Sequence, residues 1–322
     1  MGVDFVVIIP CYRRFDLLEN CVATVPDAPN IEVLIIDDAS PIEDFEAFKL
    51  KMAGRKNVRL FRNEQNRGAG YSRNFGLKYA RDNIKGEGKQ WIIFSDDDDA
   101  FTEDAFDIFS QHKESTADII YFQADFQDYR KDKEGRNYDR YFEIKNYAMK
   151  EFLTKGRQKF LRGNPSEPWA KMFSKAFLEK EGLLFREVQR SNDLVFVVEA
   201  GLRAGHIEAF EQKVYVYKIY AGSTSRMSGD LSADLVRFNE SCALANVMLS
   251  HKGYLVYLHD CLLGFFKLLR RYGLKNAKPI FAVLKQNGLH LVFYCLLKWL
   301  YKIATFIPRR VARRIKQAKY NL

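Results

Sequence analysis

Apolar and amphipathic stretches alternate along the first hundred residues. Val6–Pro10, Ile31–Ile36, Asn57–Phe61 and Trp91–Phe94 are short runs of strand length, rich in Val, Ile, Leu and Phe. Between them Asp16–Thr24, Ile42–Met52 and Ala69–Asp82 space their apolar residues at helical intervals; in the first, Leu17, Leu18, Cys21 and Val22 share a face. Strand–helix alternation at this period predicts an α/β fold with a mostly parallel, doubly wound sheet, which binds ligands at the carboxyl ends of its strands. Three of those ends are polar: Pro10-Cys11-Tyr12, Asp37-Asp38 and Asp96-Asp97-Asp98-Asp99.

Beyond residue 100 the pattern is less regular. Gln123–Lys145 is polar and rich in Asp, Arg and Tyr, and reads as a strand pair turning near Lys133-Glu134-Gly135. Residues 146–210 read as helix and loop, broken sharply at Gly163-Asn164-Pro165 and Glu167-Pro168. Val214–Tyr217 is a short strand, Gly222-Ser223-Thr224-Ser225 a small polar run, and from about Leu231 the chain is almost wholly helical. The expected division is 1–226, with halves 1–100 and 101–226, followed by a helical region 227–322.

With 322 residues, 47% of them hydrophobic and 14% aromatic, the chain can bury a substantial core. Its five cysteines (Cys11, Cys21, Cys242, Cys261, Cys295) form no CxxC pair, and this odd, scattered set reads as reduced thiols of a cytosolic protein. The amino terminus runs directly into a buried strand, without a basic segment and signal-peptide core, and Val6 stands where a myristoylation motif needs Ser or Thr. The net charge of +10 is uneven: residues 227–322 carry 16 Lys+Arg against 4 Asp+Glu, leaving 1–226 nearly neutral at −2. That distribution argues against a body that grips nucleic acid and for a tail that meets an anionic surface.

Four adjacent carboxylates at a strand end repel one another, and a bound divalent cation relieves them; oxygen ligands select Mg²⁺ or Mn²⁺. A solvated acidic loop is the alternative. Gly68-Ala69-Gly70 invites a dinucleotide-binding reading, but Arg73 occupies the last position of G-x-G-x-x-G and the fingerprint fails. Arg73, one turn into that helix, is either a diphosphate partner or a surface arginine. Tyr12 either stacks on a base or packs at the sheet edge, and Asp38 either accepts from a pyrimidine imide N–H or caps a loop.

The order VVIIPCYRR, LLENCVATV, IEVLIIDDAS, NVRLFRNEQNRGAGYSRNFGLKYA, WIIFSDDDDAF closely resembles the amino-terminal half of glycosyltransferase family 2, the inverting enzymes of GT-A fold. PWAKMFSKAFLEKEGLLFREVQRSNDLVFVVEAGLRAG is similar to that family's acceptor-side segment, and the likeness covers about residues 3–226. It implies that Pro10, Tyr12 and Asp38 hold the nucleotide, with uracil against Tyr12 and Asp38. Asp96 then matches the first aspartate of D-x-D, near ribose and metal, and Asp98 the metal ligand. Arg73 falls in the family's Ala-Arg-Asn turn, here Ser72-Arg73-Asn74. Asp193 takes the place of the catalytic base, with Asn192 where the family usually has Glu, and Trp169 that of a residue lining the acceptor site.

Displacing UDP from an anomeric carbon requires the leaving charge neutralised, the acceptor hydroxyl deprotonated and water excluded. A divalent ion on Asp98 meets the first need and a general base at Asp193 the second; attack opposite the leaving group inverts the centre. In 289–309, His290, Tyr294, Lys298, Lys302, Thr305 and Arg309 form a narrow polar stripe on an otherwise apolar helix, followed by Arg310, Arg313, Arg314 and Lys316. Spanning a bilayer would bury two lysines, so the helix is expected to lie in the interface or, alternatively, to pack on the protein or a dimer mate. The expectation is therefore a metal-dependent, non-processive transferase, since no Q-x-x-R-W motif is present, peripheral on the inner face of the membrane. It would move a UDP-hexose or UDP-N-acetylhexosamine sugar to a lipid-linked or cell-surface glycan of lipopolysaccharide or capsule type. A sugar nucleotidyltransferase and a non-catalytic nucleotide-sugar or glycan-binding protein are the rival readings.

Overall fold

The computed structural model describes residues 2–130, 138–163, 167–220, 230–251 and 258–289. The chain forms two compact units, Met1–Gly229 and Asp230–Leu322. In the first, β1 (Phe5–Cys11), α1 (Phe15–Ala23), β2 (Ile31–Asp37), α2 (Ile42–Met52), β3 (Val58–Arg62), α3 (Ala69–Asn83) and β4 (Trp91–Phe94) follow the alternation in the sequence. After them come β5 (Ala100–Phe101), α4 (Ala105–Gln111), β6 (Ile119–Asp128), α5 (Tyr138–Lys155), α6 (Gln158–Gly163), β7 (Lys171–Ser174), α7 (Lys175–Glu181), α8 (Asn192–Arg203) and β8 (Ile207–Ile219). The second unit contains α9 (Leu231–Leu249), α10 (Leu258–Tyr272), a 3-10 turn at Leu274–Asn276 and α11 (Ala277–Gln286).

One eight-stranded sheet runs in the order β3-β2-β1-β4-β7-β6-β8-β5. Its first four strands are parallel; β7 is antiparallel to β4 and β6, β8 is parallel to β6, and β5 is antiparallel to β8. Covering the sheet on both faces explains the unbroken apolar runs. Val7, Ile9, Val33, Ile35 and Ile93 enter one core while Val6, Ile8, Leu34, Ile36, Ile92 and Phe94 enter the other. From β1 the chain builds outward through β2 and β3, then crosses back so that β4 pairs with β1's other edge. That reversal opens a crevice at the carboxyl ends of β1 and β4, where Tyr12 and the acidic run begin.

The expected strand pair in Gln123–Lys145 is corrected: β6 occupies Ile119–Asp128, and Tyr138–Lys155 is an 18-residue helix burying Tyr138, Phe142 and Met149. Strand β6 pairs with β7 and β8, far along the chain, so no local hairpin signal exists. The short strand Val214–Tyr217 lies in the second half of a 13-residue one. The turn at Lys133-Glu134-Gly135, most of the Gly163-Asn164-Pro165 break, the Gly222–Ser225 run and the striped segment, apart from Leu289, lie outside the described residues.

Helix α3 approaches the sheet so closely that a Cβ on Gly76 would lie 2.6 Å from Ile8 Cγ2 and 3.2 Å from Ile36 Cδ1. Gly76→Ala should therefore destabilise by about 1–3 kcal/mol, despite alanine's better helix propensity. A lowered urea midpoint with an unchanged slope is expected; an unchanged or raised midpoint would show that the isoleucines yield freely.

Candidate active site

The four carboxylates after β4 point to different partners. Asp96, whose side chain is 32% exposed, accepts from Arg73 Nη2 at 2.5 Å. Asp97 and Asp98 are bridged by the two Nη atoms of Arg14, one nitrogen to each. Asp99 turns inward, accepting from the Tyr215 hydroxyl at 2.9 Å and the Lys218 N–H at 2.8 Å. Burial drives Asp97 up to about 7, with Asp98 and Asp96 adding to the rise and Arg14 opposing it. Asp98 and Asp99 are also raised by burial, and Asp99 further by Asp98 and Asp96.

Tyr215 fixes this turn from beneath. Its hydroxyl accepts the Asp96 N–H at 3.0 Å, lies 3.2 Å from Ser95 Oγ and donates to Asp99. The phenol ring is fully buried and stacks on Trp169 with centroids 5.1 Å apart and planes 8° from parallel. Trp169 is 3% exposed, between Tyr215, Tyr217, Phe142 and the Lys145 ammonium, 3.9 Å from its ring. Its indole thus supports the acidic turn from within the core.

On the other bank, Asp38 accepts from Asn63 Nδ2 (2.9 Å), the Arg67 N–H (2.9 Å) and the Gly68 N–H (2.7 Å). These bonds tie the loop before α3 to the end of β2 and use three of about four acceptor sites on a carboxylate. Asp37 accepts from the Ser40 N–H and hydroxyl, and Ser40 Oγ accepts the Arg13 N–H at 2.8 Å. Arg13 has φ of 62°, a left-handed turn that leaves Tyr12 37% exposed at the crevice, with the Arg13 guanidinium 5.0 Å from its ring. Pro10 lies within β1, paired with Ile36.

Arg73 joins the two banks. Almost completely buried, it donates to Asn192 Oδ1 at 2.7 Å as well as to Asp96. A Cβ on Gly70 would lie 2.1 Å from Arg186 O, so only glycine lets α3 meet the segment before α8. Asp193 sits in the first turn of α8; burial raises its pKa, Arg73 opposes the rise and Asp96 adds to it. Lys171, also buried, donates to Glu167 O at 2.5 Å and Trp169 O at 3.3 Å. Burial lowers it to about 8 against the pull of Glu167 and Asp193.

Asp96, Arg73, Asn192 and Asp193 are thus brought together, with Tyr12 and Asp38 on the adjoining strand ends. Sequence reasoning missed Arg14, Lys171 and Tyr215. The signal for Tyr215 was the two-residue period of Tyr215 and Tyr217, which puts both rings against Trp169. Arg14 carried only the hint of a cation just beyond a strand end.

Among the described residues no three Asp, Glu, His or Cys side chains converge as a complete metal cage. Asp98 meets a side-chain partner in Arg14 alone, and the buried Asp97 Oδ2 has no hydrogen-bond partner. Asp96 and Asp98, each meeting one arginine, on a turn whose Asp97 keeps an unpartnered oxygen, fit an ion that takes one or two protein ligands and completes its shell with phosphate and water, as Mg²⁺ does.

The sequence model of Glycosyl transferase family 2 matches residues 6–180. Glycosyltransferase GlyG of Streptococcus pneumoniae serotype 4 is 27% identical over 241 residues, covering 70% of this chain and 74% of that protein. Among solved structures, S. aureus TarS 1–349 in complex with UDP-GlcNAc superposes with a TM-score of 0.62 at 17% identity, over 88% of this chain and 80% of that one. Mannosyltransferase PcManGT from Pyrobaculum calidifontis, in complex with GDP-Man and Mn²⁺, gives a TM-score of 0.51 at 15% identity, over 97% and 83%. The fold is GT-A.

Because folding raises Asp97 to about 7, the folded chain holds more protons than the unfolded one from about pH 4 to 7. Stability of the ligand-free protein should therefore fall as pH rises through that window. Melting temperature against pH should show a shallower fall in Asp97→Asn; parallel curves for the two proteins would assign the slope to other groups.

Proposed function

The chain belongs to glycosyl transferase family 2 and is a glycosyltransferase; from that premise we propose an inverting transferase that moves a hexose or N-acetylhexosamine from a UDP-sugar to a lipid-linked or cell-surface glycan. The observation that carries this reading is the meeting of Asp96, Arg73, Asn192 and Asp193 at the carboxyl end of β4. Tyr12 offers an exposed ring for the uracil, and Asp38, rigid through its three donors, retains an acceptor site for the imide N–H. Arg73 supplies fixed positive charge near the diphosphate. A divalent ion, Mn²⁺ or Mg²⁺, held by Asp98 with Asp96 would act as Lewis acid on the diphosphate.

Asp193 is the proposed general base. A carboxylate at its usual pKa is a weak base, and burial moves this one toward the proton it must accept. Its place in the first turn of α8 and the nearby Arg73 oppose that rise. Asn192 orients Arg73 without a second charge beside the base. Trp169 contributes by stacking under Tyr215 at the acceptor side, and contact with the acceptor itself would require the aromatic stack to open. UDP-GlcNAc in TarS favours a UDP-sugar donor, and Mn²⁺ in PcManGT favours a metal-dependent reaction.

In a screen of UDP-sugars for UDP release, Asp193→Asn should retain UDP affinity while transfer falls by about 10²–10⁴-fold. A fall of less than about tenfold would assign proton removal to another group.

A further inference from the structure

The second unit separates its charges sharply. From Cys261 to Leu322 the chain holds 14 Lys+Arg and no Asp or Glu. Inside the unit, α9, α10 and α11 close over Phe238, Cys242, Cys261, Phe265, Ile280 and Leu284. The α9 carboxylate Asp234 takes Arg271 at 2.9 Å and the Tyr272 hydroxyl at 2.7 Å. Lys267, Arg270, Lys275, Lys278 and Lys285 have no such partner among the described residues and stand exposed.

These cations are interleaved with apolar side chains that the core does not use. Positions 263, 266, 267, 270 and 274 recur at helical spacing along α10 and into the turn, and 278, 281 and 285 do so along α11. Leu263 (41% exposed), Phe266 (44%), Leu274 (81%) and Phe281 (41%) are the apolar members. Phe265 contacts both Phe266 and Phe281, with ring centroids 5.5 and 6.4 Å away, so the two exposed rings flank one seam between the helices.

We propose that this outer face of α10 and α11 docks on an anionic phospholipid surface, with Phe266 and Phe281 entering the headgroup layer and the five cations meeting lipid phosphates. A second copy on the same face would set unneutralised cations against cations, whereas an anionic leaflet supplies both opposite charge and an apolar interior. No helix among the described residues is long and apolar enough to cross a membrane. The face would hold the enzyme beside a lipid-linked acceptor; it deepens that part of the proposed function and does not depend on the transfer chemistry.

The test is sedimentation of the full-length protein with vesicles of phosphatidylcholine alone or mixed with phosphatidylglycerol, with UDP affinity measured in parallel. Wild type should sediment with the anionic vesicles only, and less as salt rises. Phe266→Ala/Phe281→Ala and Lys267→Gln/Lys278→Gln/Lys285→Gln should each weaken partitioning by about tenfold or more with UDP affinity unchanged. Wild-type binding that both variants retain would place the contact elsewhere and overturn the proposal. So would a wild type that ignores anionic vesicles, or a dimer in sedimentation velocity that the phenylalanine variant dissociates. Loss of UDP binding in wild type would instead contradict the donor reading, leaving the docking face intact.

Discussion

Four consecutive carboxylates at the end of a fully buried strand must each be neutralised or dispersed, and the site is organised around that requirement. Arg73 takes Asp96, Arg14 bridges Asp97 and Asp98, and Tyr215 with the Lys218 N–H takes Asp99. Two of these partners come from the first hundred residues and two from β8, so the acidic turn joins both halves of the sheet. Burial still dominates at Asp97, Asp98 and Asp99, whose pKa values stay raised despite their partners. A region left electrostatically short of positive charge is suited to receive a cation together with a diphosphate.

Connectivity places this charge where a ligand can reach it. Since β4 returns to the free edge of β1, the carboxyl ends of adjacent strands diverge into a crevice with Tyr12 on one side and Asp96 on the other. Helix α3, held close by Gly70 and Gly76, carries Arg73 across the gap to Asn192 at the start of α8. Arg73 and Asn192 lie on helices and Tyr215 on a strand, and three hydrogen bonds hold the Asp38 loop, so the site is largely preorganised.

The first four strands and three helices were legible because each is a local pattern: an apolar run of strand length or an amphipathic helical one. Asp96, Asp38 and Tyr12 were legible for the same reason, as polar residues at strand ends. The second half of the sheet was not, because β6 pairs with strands that lie some fifty to ninety residues later and its neighbour α5 shares its polar, aromatic composition. Arg14 and Tyr215 were harder to read for a related reason: each acts on the acidic turn, remote from it in sequence, and the period that pairs Tyr215 with Tyr217 points to a shared face but not to Asp99. Lys171 bonds to the nearby carbonyls of Glu167 and Trp169, and its burial comes from the fold around it. Trp169 shows the converse: its position was read as acceptor-lining, and the fold buries it beneath Tyr215.

Titration calorimetry of UDP into the full-length protein, with Mn²⁺ and with chelator, probes the neutralisation of the acidic turn most directly. If ion and diphosphate jointly supply the charge that Asp96 and Asp98 lack, UDP affinity should rise at least about tenfold with Mn²⁺, with Mn²⁺ gaining by the same factor from UDP. Asp98→Asn should remove that coupling. UDP binding equally tight in chelator, or coupling that survives in Asp98→Asn, would contradict the role assigned to the turn.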